Sequence, residues 1–453
     1  MTTRAEIVIV GAGIAGVAAA YHLAVRHGVH SIVLVDERDP MTLTSDKGTQ
    51  GYRNWWPGPD DTMSRFVSRS IDLMEEMADE TRNLFRLSRR GYLFVTGEDA
   101  GVERLRTTAR EVSRFGMGAL REHPGPEAYA PAPAEGFRDQ PIGADILLGG
   151  DAVRAFPFLA ESTKAALHVR RAGWMNPVAL GSWMFTRALA AGVTFVRDRV
   201  AGIDANGGRV QRVHLASGAQ LETNRVVLAA GPLLPDAGRM LGLELPLFHE
   251  LHAKVTFADT RGVIPRSAPF TIWIDPTQLE WTSVERARMS GGSADRHLLE
   301  TFPGGVHVRP VDGPRGDELW LIWTYHTEPC APVWPPVFDA RYGEICVRGL
   351  AAMVPAMTAY FGQTTSGVVD GGYYCKTTDN RPLIGPLPVE GAYVIGALSG
   401  TGIMSSHAAA DLLAAHLTQS TLPSYARAFL PSRYEDAAYV KEVERWGALT
   451  GQL

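Results

Sequence analysis

Residues 7–37, IVIVGAGIAGVAAAYHLAVRHGVHSIVLVDE, constrain the fold more than any other stretch of the chain. Ile7-Val8-Ile9-Val10 is a short unbroken apolar run, as expected of a strand buried on both faces. The turn Gly11–Gly16, GAGIAG, comes next, then apolar residues at helical spacing as far as Gly28, a residue suited to a helix C-cap. A second apolar strand follows and ends in Asp36 and Glu37. Strand, glycine-rich turn, helix, strand and acid in this order predict a dinucleotide site on a parallel sheet. Gly11 is needed for the tight bend, Gly13 for close backbone approach to a pyrophosphate, and Gly16 for packing of the helix on the strand. The helix start at Ile14 and Ala15 offers free N–H groups and a partial positive charge to phosphates. Asp36 lies 25 residues after Gly11, where a carboxylate accepts ribose hydroxyls, with Glu37 as the alternate.

Ten residues further on, SDKGTQGYRNWWPG (45–58) mixes cations, three glycines and a Trp55-Trp56 pair in one segment. A plain surface loop has no use for paired tryptophans, and a core strand would not carry Asp46, Lys47, Arg53 and Asn54. The chain has 453 residues, which predicts two or three domains. A net charge of −5 gives no general affinity for nucleic acid or anionic membrane, and no apolar run reaches the length of a membrane span. Cys330, Cys346 and Cys375 form neither a CxxC pair nor a disulfide framework. With a strand starting six residues from Met1, these features predict a reduced, cytoplasmic protein.

Residues 192–232 read as short strands broken at Asn206-Gly207-Gly208 and Ser217-Gly218. They close with the buried strand Val226–Ala230 and then Gly231-Pro232. Near the C-terminus the first pattern returns. Tyr393-Val394-Ile395 is a strand, GALSGTG a glycine-rich turn, and Met404–Leu417 a helix, so a second helix N-terminus is offered to a ligand about 380 residues after the first.

Four pieces, IVIVGAGIAGVAAAYHL, RVVLAAGP, GGYYCKTTDNRPLIGP and GALSGTGI, resemble in content and order the D-amino-acid oxidase, sarcosine oxidase and glycine oxidase superfamily of FAD-dependent oxidoreductases. The resemblance implies an α/β fold. It would combine a Rossmann-like FAD-binding domain of the glutathione-reductase-2 type with a second, α+β substrate domain built on an antiparallel sheet. The expected division is 1–90, 166–245 and 366–420 for FAD, 91–165 and 246–365 for substrate, and 421–453 as a C-terminal peripheral helix. Residues 123–150 read as a long surface loop, and 275–305 as a polar insertion that is either solvated or a lid.

By the same resemblance FAD lies extended. Gly11, Gly13, Ile14, Ala15, Gly16 and Asp36 (or Glu37) hold the ADP half, and Val200 meets the adenine. Ala230 and Gly231 lie close to the dinucleotide. Gly400, Thr401, Gly402 and Ile403 face the ribityl chain and the pyrimidine edge. Ser45, Lys47 and Gly48 approach the cofactor, with Lys47 or Arg53 beside the flavin ring and Trp55-Trp56 either a pocket wall or core packing. Gly372 stands where relatives link FAD through a cysteine, so FAD is expected to be non-covalent. Ile322 stands where sarcosine-type oxidases carry a lysine, and Lys254 or Lys47 is the available substitute. Arg53, Arg309, Lys376 and Arg381 are candidate cations for a substrate carboxylate, and Tyr325 and His326 candidate catalytic groups.

The implied reaction is oxidation of a C–N bond in a small-molecule amine or amino acid, bulky or secondary, with hydride passing to flavin N5 and an imine formed. The electron acceptor is oxygen or an unknown partner. Two alternatives stay open: a flavin monooxygenase, and a dehydrogenase handing electrons to a protein partner.

Overall fold

Parallel pairing of Ile7–Val10 with both Ile32–Asp36 and Val226–Leu228 starts a six-stranded sheet in the computed structural model, which describes residues 2–123, 125, 129–133, 135–291, 295–311, 316–363 and 367–446. The strand order is Thr194–Arg197, Ile32–Asp36, Ile7–Val10, Val226–Leu228, Ala392–Gly396 and Leu383–Pro386. All neighbours are parallel except the last pair. Strands buried on both faces suit this sheet. On one side pack helices Ile14–Tyr21 (continued by one π turn to Arg26), Thr62–Glu80, Pro177–Ala190 and Gly402–Thr418. On the other lies a four-stranded sheet that includes Val200–Asn206 and Arg209–Leu215. Local chemistry sets the ends of these helices. The Asn176 side chain accepts from the Ala179 N–H at 3.0 Å and Pro177 opens the helix. Gly28 takes φ +65° just beyond the π turn.

A nine-stranded, mainly antiparallel sheet forms the second layer system. Its order is Val368–Lys376, Phe248–Ala258, Glu318–Ile322, Val306–Pro310, Phe270–Trp273, Tyr92–Thr96, Ala165–Val169, Ala144–Leu148 and Leu120–Glu122. Side chains alternate across each strand. Val255, Phe257, Val306, Val308, Leu319 and Leu321 therefore share one apolar face, packed on Ile345 and Val347 of helix Tyr342–Leu350. The opposite face is polar and aromatic, and is described below.

The α/β class with a second, sheet-based substrate layer is as expected. Several boundaries differ. Strand Ala165–Val169, expected in the FAD domain from 166 onward, and Val368–Lys376, expected there whole, hydrogen-bond within the nine-stranded sheet. Apolar alternation marks a strand but not its partner, so sequence could not assign them. The expected loop 123–150 contains the sheet strand Ala144–Leu148, of which only Leu148 is exposed. The insertion 275–305 folds back on the apolar core. Leu279, Trp281, Met289, Leu298 and Phe302 are all buried there, and helix Ser283–Ser290 begins with a Thr282/Glu285 capping box.

The tail carries helix Ala437–Trp446 and is pinned to the body of the protein. Buried Asp379 accepts from Arg433 Nε (2.6 Å), Tyr434 Oη (2.7 Å) and Tyr439 Oη (2.6 Å). Parts of the three segments (124, 126–128 and 134; 292–294; 447–453) lie outside the described residues.

Candidate active site

Between the two glycine-rich turns the six-stranded sheet opens a cavity of about 420 Å³ at the C-terminal ends of its strands. This is where open α/β sheets hold ligands. Gly11, Gly13, Ile14 and Ala15 line it from the first turn, and Asp36 and Glu37 from the second strand. Ser45 and Gly48 line it from the following loop, Val200, Ala230 and Gly231 from the middle of the chain, and Gly400–Ile403 from the second turn. The Asp36 carboxylate braces the site, accepting the Ala12 N–H at 2.7 Å and the Arg38 N–H at 2.9 Å. Ser45 Oγ accepts the Ile14 N–H at 2.9 Å, so the loop is tied to the helix start.

The glycines are required by contact. A Cβ on Gly11 would lie 2.6 Å from Ala229 O, at φ +106°. One on Gly400 would lie 2.3 Å from the Tyr374 ring, at φ +76°. Gly16 does not line the cavity: its Cβ would lie 1.8 Å from Gly11 O, so its part is helix packing. Nor does Lys47, whose Nζ turns to Asp370 (3.0 Å) and Asp46 (3.3 Å).

The polar face of the nine-stranded sheet meets this cavity through the 44–53 loop. Register puts Tyr92 beside Phe270, His307 beside Ile322, and Arg309 beside Trp320. His252 and Tyr374 belong to the same face. Lys254 Nζ donates to Lys47 O at 2.6 Å, and Arg309 Nε donates to Thr49 O at 2.9 Å. Arg309 is 2% exposed and sandwiched between Trp320 (4.2 Å) and Trp174 (5.1 Å). It holds the loop by charge-assisted bonds in a dry setting. Gly51, Tyr52 and Arg53 form a short strand against Ala172–Trp174. The Arg53 guanidinium sits over the rings of Trp56 (5.7 Å) and Tyr92 (5.5 Å).

Burial dominates the electrostatics here. It lowers Arg53, raises Tyr92, brings Lys254 down to about 8 and His307 to about 4, and pushes Tyr374 up to about 12. Both histidines of this face, His252 and His307, are therefore held toward the neutral form.

Other candidates lie elsewhere. Trp56 is 1% exposed in the main core and Trp55 packs against Phe94, so the tryptophans are core. Tyr325 packs on Phe302, Trp323 and Tyr342 toward the apolar side of the sheet, and His326 is exposed. Neither lines the cavity. The strand ends at Ile322, and Trp323 turns into the core, where a Cβ on Gly349 would meet its ring at 2.0 Å. Tyr325 keeps the alternation of Leu319, Leu321 and Trp323 and therefore faces the apolar core. Arg381 pairs with Asp60 at 2.7 Å and Lys376 with Glu250 at 2.9 Å. Tyr92, His252, His307 and Tyr374 were not anticipated. Each comes from a different strand, so only strand pairing brings them to one face.

A family model described as "FAD dependent oxidoreductase" (DAO) matches residues 6–416. Human mitochondrial dimethylglycine dehydrogenase is 28% identical over 259 residues, 56% of this chain and 26% of that protein. A bifunctional tRNA 5-methylaminomethyl-2-thiouridine biosynthesis protein of Polaromonas sp. is 27% identical over 307 residues, 63% of this chain and 41% of that protein. The matched stretch is thus under half the length of these relatives. Among solved structures, L-proline dehydrogenase from P. horikoshii superposes with TM-score 0.73 at 19% identity, covering 96% of this chain and 99% of that one. Glycine oxidase from Geobacillus kaustophilus gives 0.70 at 16%, covering 92% and 96%. At these identities the structural likeness establishes the fold.

Proposed function

The chain belongs to the DAO family of FAD-dependent oxidoreductases, and from that premise we propose that it oxidises a C–N bond in an amine or amino acid, with a bulky or secondary amine preferred. FAD suits the residues present. Two helix N-termini converge on one cavity, Gly13 leaves an approach to the first, and Asp36 stands at the far end. When bound, FAD supplies the acceptor for the two electrons and the hydrogen that leave the substrate carbon.

The observation that carries the reading is the polar face of the nine-stranded sheet laid against the cofactor loop. It offers aromatic walls (Tyr92, Phe270, Tyr374) and the histidines His252 and His307, and Arg53 of the short loop strand lies over the Tyr92 ring. Arg53 is the candidate partner for a substrate carboxylate. Arg309 and Lys254 fix the loop that closes the site, and the closed loop excludes water. Non-covalent attachment is favoured by Gly372, whose Cβ position faces Thr44 at 3.3 Å. It is also favoured by Cys375, which lines the cavity but whose thiol burial pushes up to about 12, disfavouring the reactive thiolate.

Ile322 on this face favours a dehydrogenase that passes electrons to an acceptor other than oxygen. Anaerobic mixing with sarcosine, N,N-dimethylglycine, L-proline and N-benzylglycine, followed by flavin absorbance and then by air, tests both levels. Bleaching by an amine is expected, with slow recovery in air. A holoprotein that no amine bleaches would overturn the reading, and rapid recovery would overturn the choice of acceptor.

A further inference from the structure

Thr324, His252 and Glu250 form a hydrogen-bonded line along the polar face. The pairing of Val255 with Leu321, continued along the two chains, brings Thr324 beside His252 on the polar face. Thr324 Oγ1 lies 3.2 Å from His252 Nδ1, and His252 Nε2 lies 2.9 Å from Glu250 Oε2. An ionised carboxylate only accepts, so Nε2 carries the ring proton. Nδ1 is then the acceptor and the Thr324 hydroxyl donates to it. Lys376 Nζ, 2.9 and 3.0 Å from the two Glu250 oxygens, keeps that carboxylate ionised despite its burial. The imidazole is stacked flat on Tyr374, with centroids 3.9 Å apart and planes at 16°, which fixes its orientation. Tyr374 in turn lines the cofactor cavity. The line thus starts at half-buried Thr324, two residues beyond Ile322 on the polar face, passes through His252 against the cavity-lining Tyr374, and ends in a buried ion pair.

Resting on the amine-oxidation reading, we propose that Thr324–His252–Glu250 is a proton relay that deprotonates the bound ammonium substrate. An ammonium nitrogen has no lone pair to support loss of hydride from the adjacent carbon; the neutral amine has. The substrate N–H bond breaks, its proton passes to Thr324 Oγ1, and the Thr324 hydroxyl proton passes to His252 Nδ1. The electron pair stays on the substrate nitrogen, and the imidazolium formed is held by Glu250, the hydroxyl–histidine–carboxylate logic of nucleophile triads applied to a proton.

The groups facing His252 are Glu250 on its own strand, Tyr374 and Lys376 on the next, Thr324 on the other side and His307 across the sheet. Burial lowers the His252 pKa, Glu250 opposes this and Lys376 reinforces it, so the ring enters the cycle neutral at pH 7.

The test is anaerobic stopped-flow reduction of the holoenzyme by whichever of the four amines bleaches it. Wild type, Thr324→Val, Thr324→Ser and His252→Gln are compared from about pH 6 to pH 10. Thr324→Val and His252→Gln should slow reduction by roughly a hundredfold or more at pH 7. The gap should close as pH approaches the amine's own pKa, because solvent then supplies neutral amine. Thr324→Ser should restore both rate and profile. A loss equal at every pH, as from misfolding or poor packing, or an unchanged profile in Thr324→Val, would sink the relay while leaving amine oxidation standing. If none of the amines bleaches wild type, the oxidation reading falls and takes the relay with it.

Discussion

Acidification should destabilise this fold through two histidines that have nothing to do with catalysis. His22 and His407 are 0% exposed, with ring centroids 6.1 Å apart where the first helix meets Gly402–Thr418. Among the described residues none of their four ring nitrogens has a hydrogen-bond partner, and the nearest carboxylate, Asp411, lies 3.9 Å from His22 Nδ1. Burial brings His407 down to about 3 and His22 well below its ordinary value. Folded, both stay neutral; unfolded, both bind a proton near pH 6.5. The unfolded state therefore binds more protons, and the stability these residues contribute is lost as pH falls below about 6.5. Once pH is well below that value each group costs about 1.4 kcal/mol per pH unit, so the pair costs about 2.8 kcal/mol per unit between about pH 5.5 and 4.5. The assay is urea unfolding of the holoprotein across this range, for wild type and for His22→Leu/His407→Leu. Other buried histidines, His168 and His307 among them, add to both slopes, so the difference isolates the pair. The double variant should lose about two protons' worth of pH dependence. Equal slopes would mean that the rings are solvated or paired in solution, and would refute the reasoning.

Acid precipitation of the holoprotein should release the yellow cofactor into the supernatant; flavin kept on the denatured chain would show a covalent link. Asp36→Ala should weaken FAD binding by about 1.5–3 kcal/mol, roughly tenfold or more in dissociation constant, as titration of apoprotein would measure. Asp36→Asn should lose less, because an amide oxygen can still brace the Ala12 N–H. Arg309→Met should leave the Thr49 and Pro310 carbonyls unsatisfied, at about 1–3 kcal/mol each, and expose the 44–53 loop to proteolysis before the rest of the chain. Asp379→Asn removes the charge that holds Arg433 and the tail and should cost about 3–5 kcal/mol in urea unfolding. A change under about 1 kcal/mol would mean that the tail docks by packing alone.

The cofactor half of this molecule was legible in the sequence because its determinants are local. A turn, the helix it starts and the acid one strand later lie within Gly11–Asp36, and each residue type answers a local demand of bend, approach or charge. The substrate half was not legible, because its determinants are pairings. Tyr92, His252, His307 and Tyr374 come from four separate segments, and only strand order makes them neighbours. Tyr325 and His326 failed for the complementary reason. Sequence shows that Tyr325 shares a face with Leu319, Leu321 and Trp323, but not that this face is the one packed on the core. Trp55 and Trp56 failed because an aromatic pair next to glycines and cations suits a domain junction as well as a pocket, and burial alone separates the two.

The 44–56 segment joins the two halves, and its composition follows from that position. It must lie across a sheet face that carries Lys254 and Arg309. Both cations donate to the segment's own backbone carbonyls, Lys47 O and Thr49 O, and Lys254 also lies 3.8 Å from Asp370. Gly51 permits the approach, since a Cβ there would lie 1.9 Å from Tyr92 Oη. Trp56 then anchors the segment in the core behind the first helix, while Arg53 bridges the Trp56 and Tyr92 rings. A carboxylate in place of Thr49 or Gln50 would neutralise Arg309. Holding the loop through carbonyl dipoles keeps both the grip and the charge.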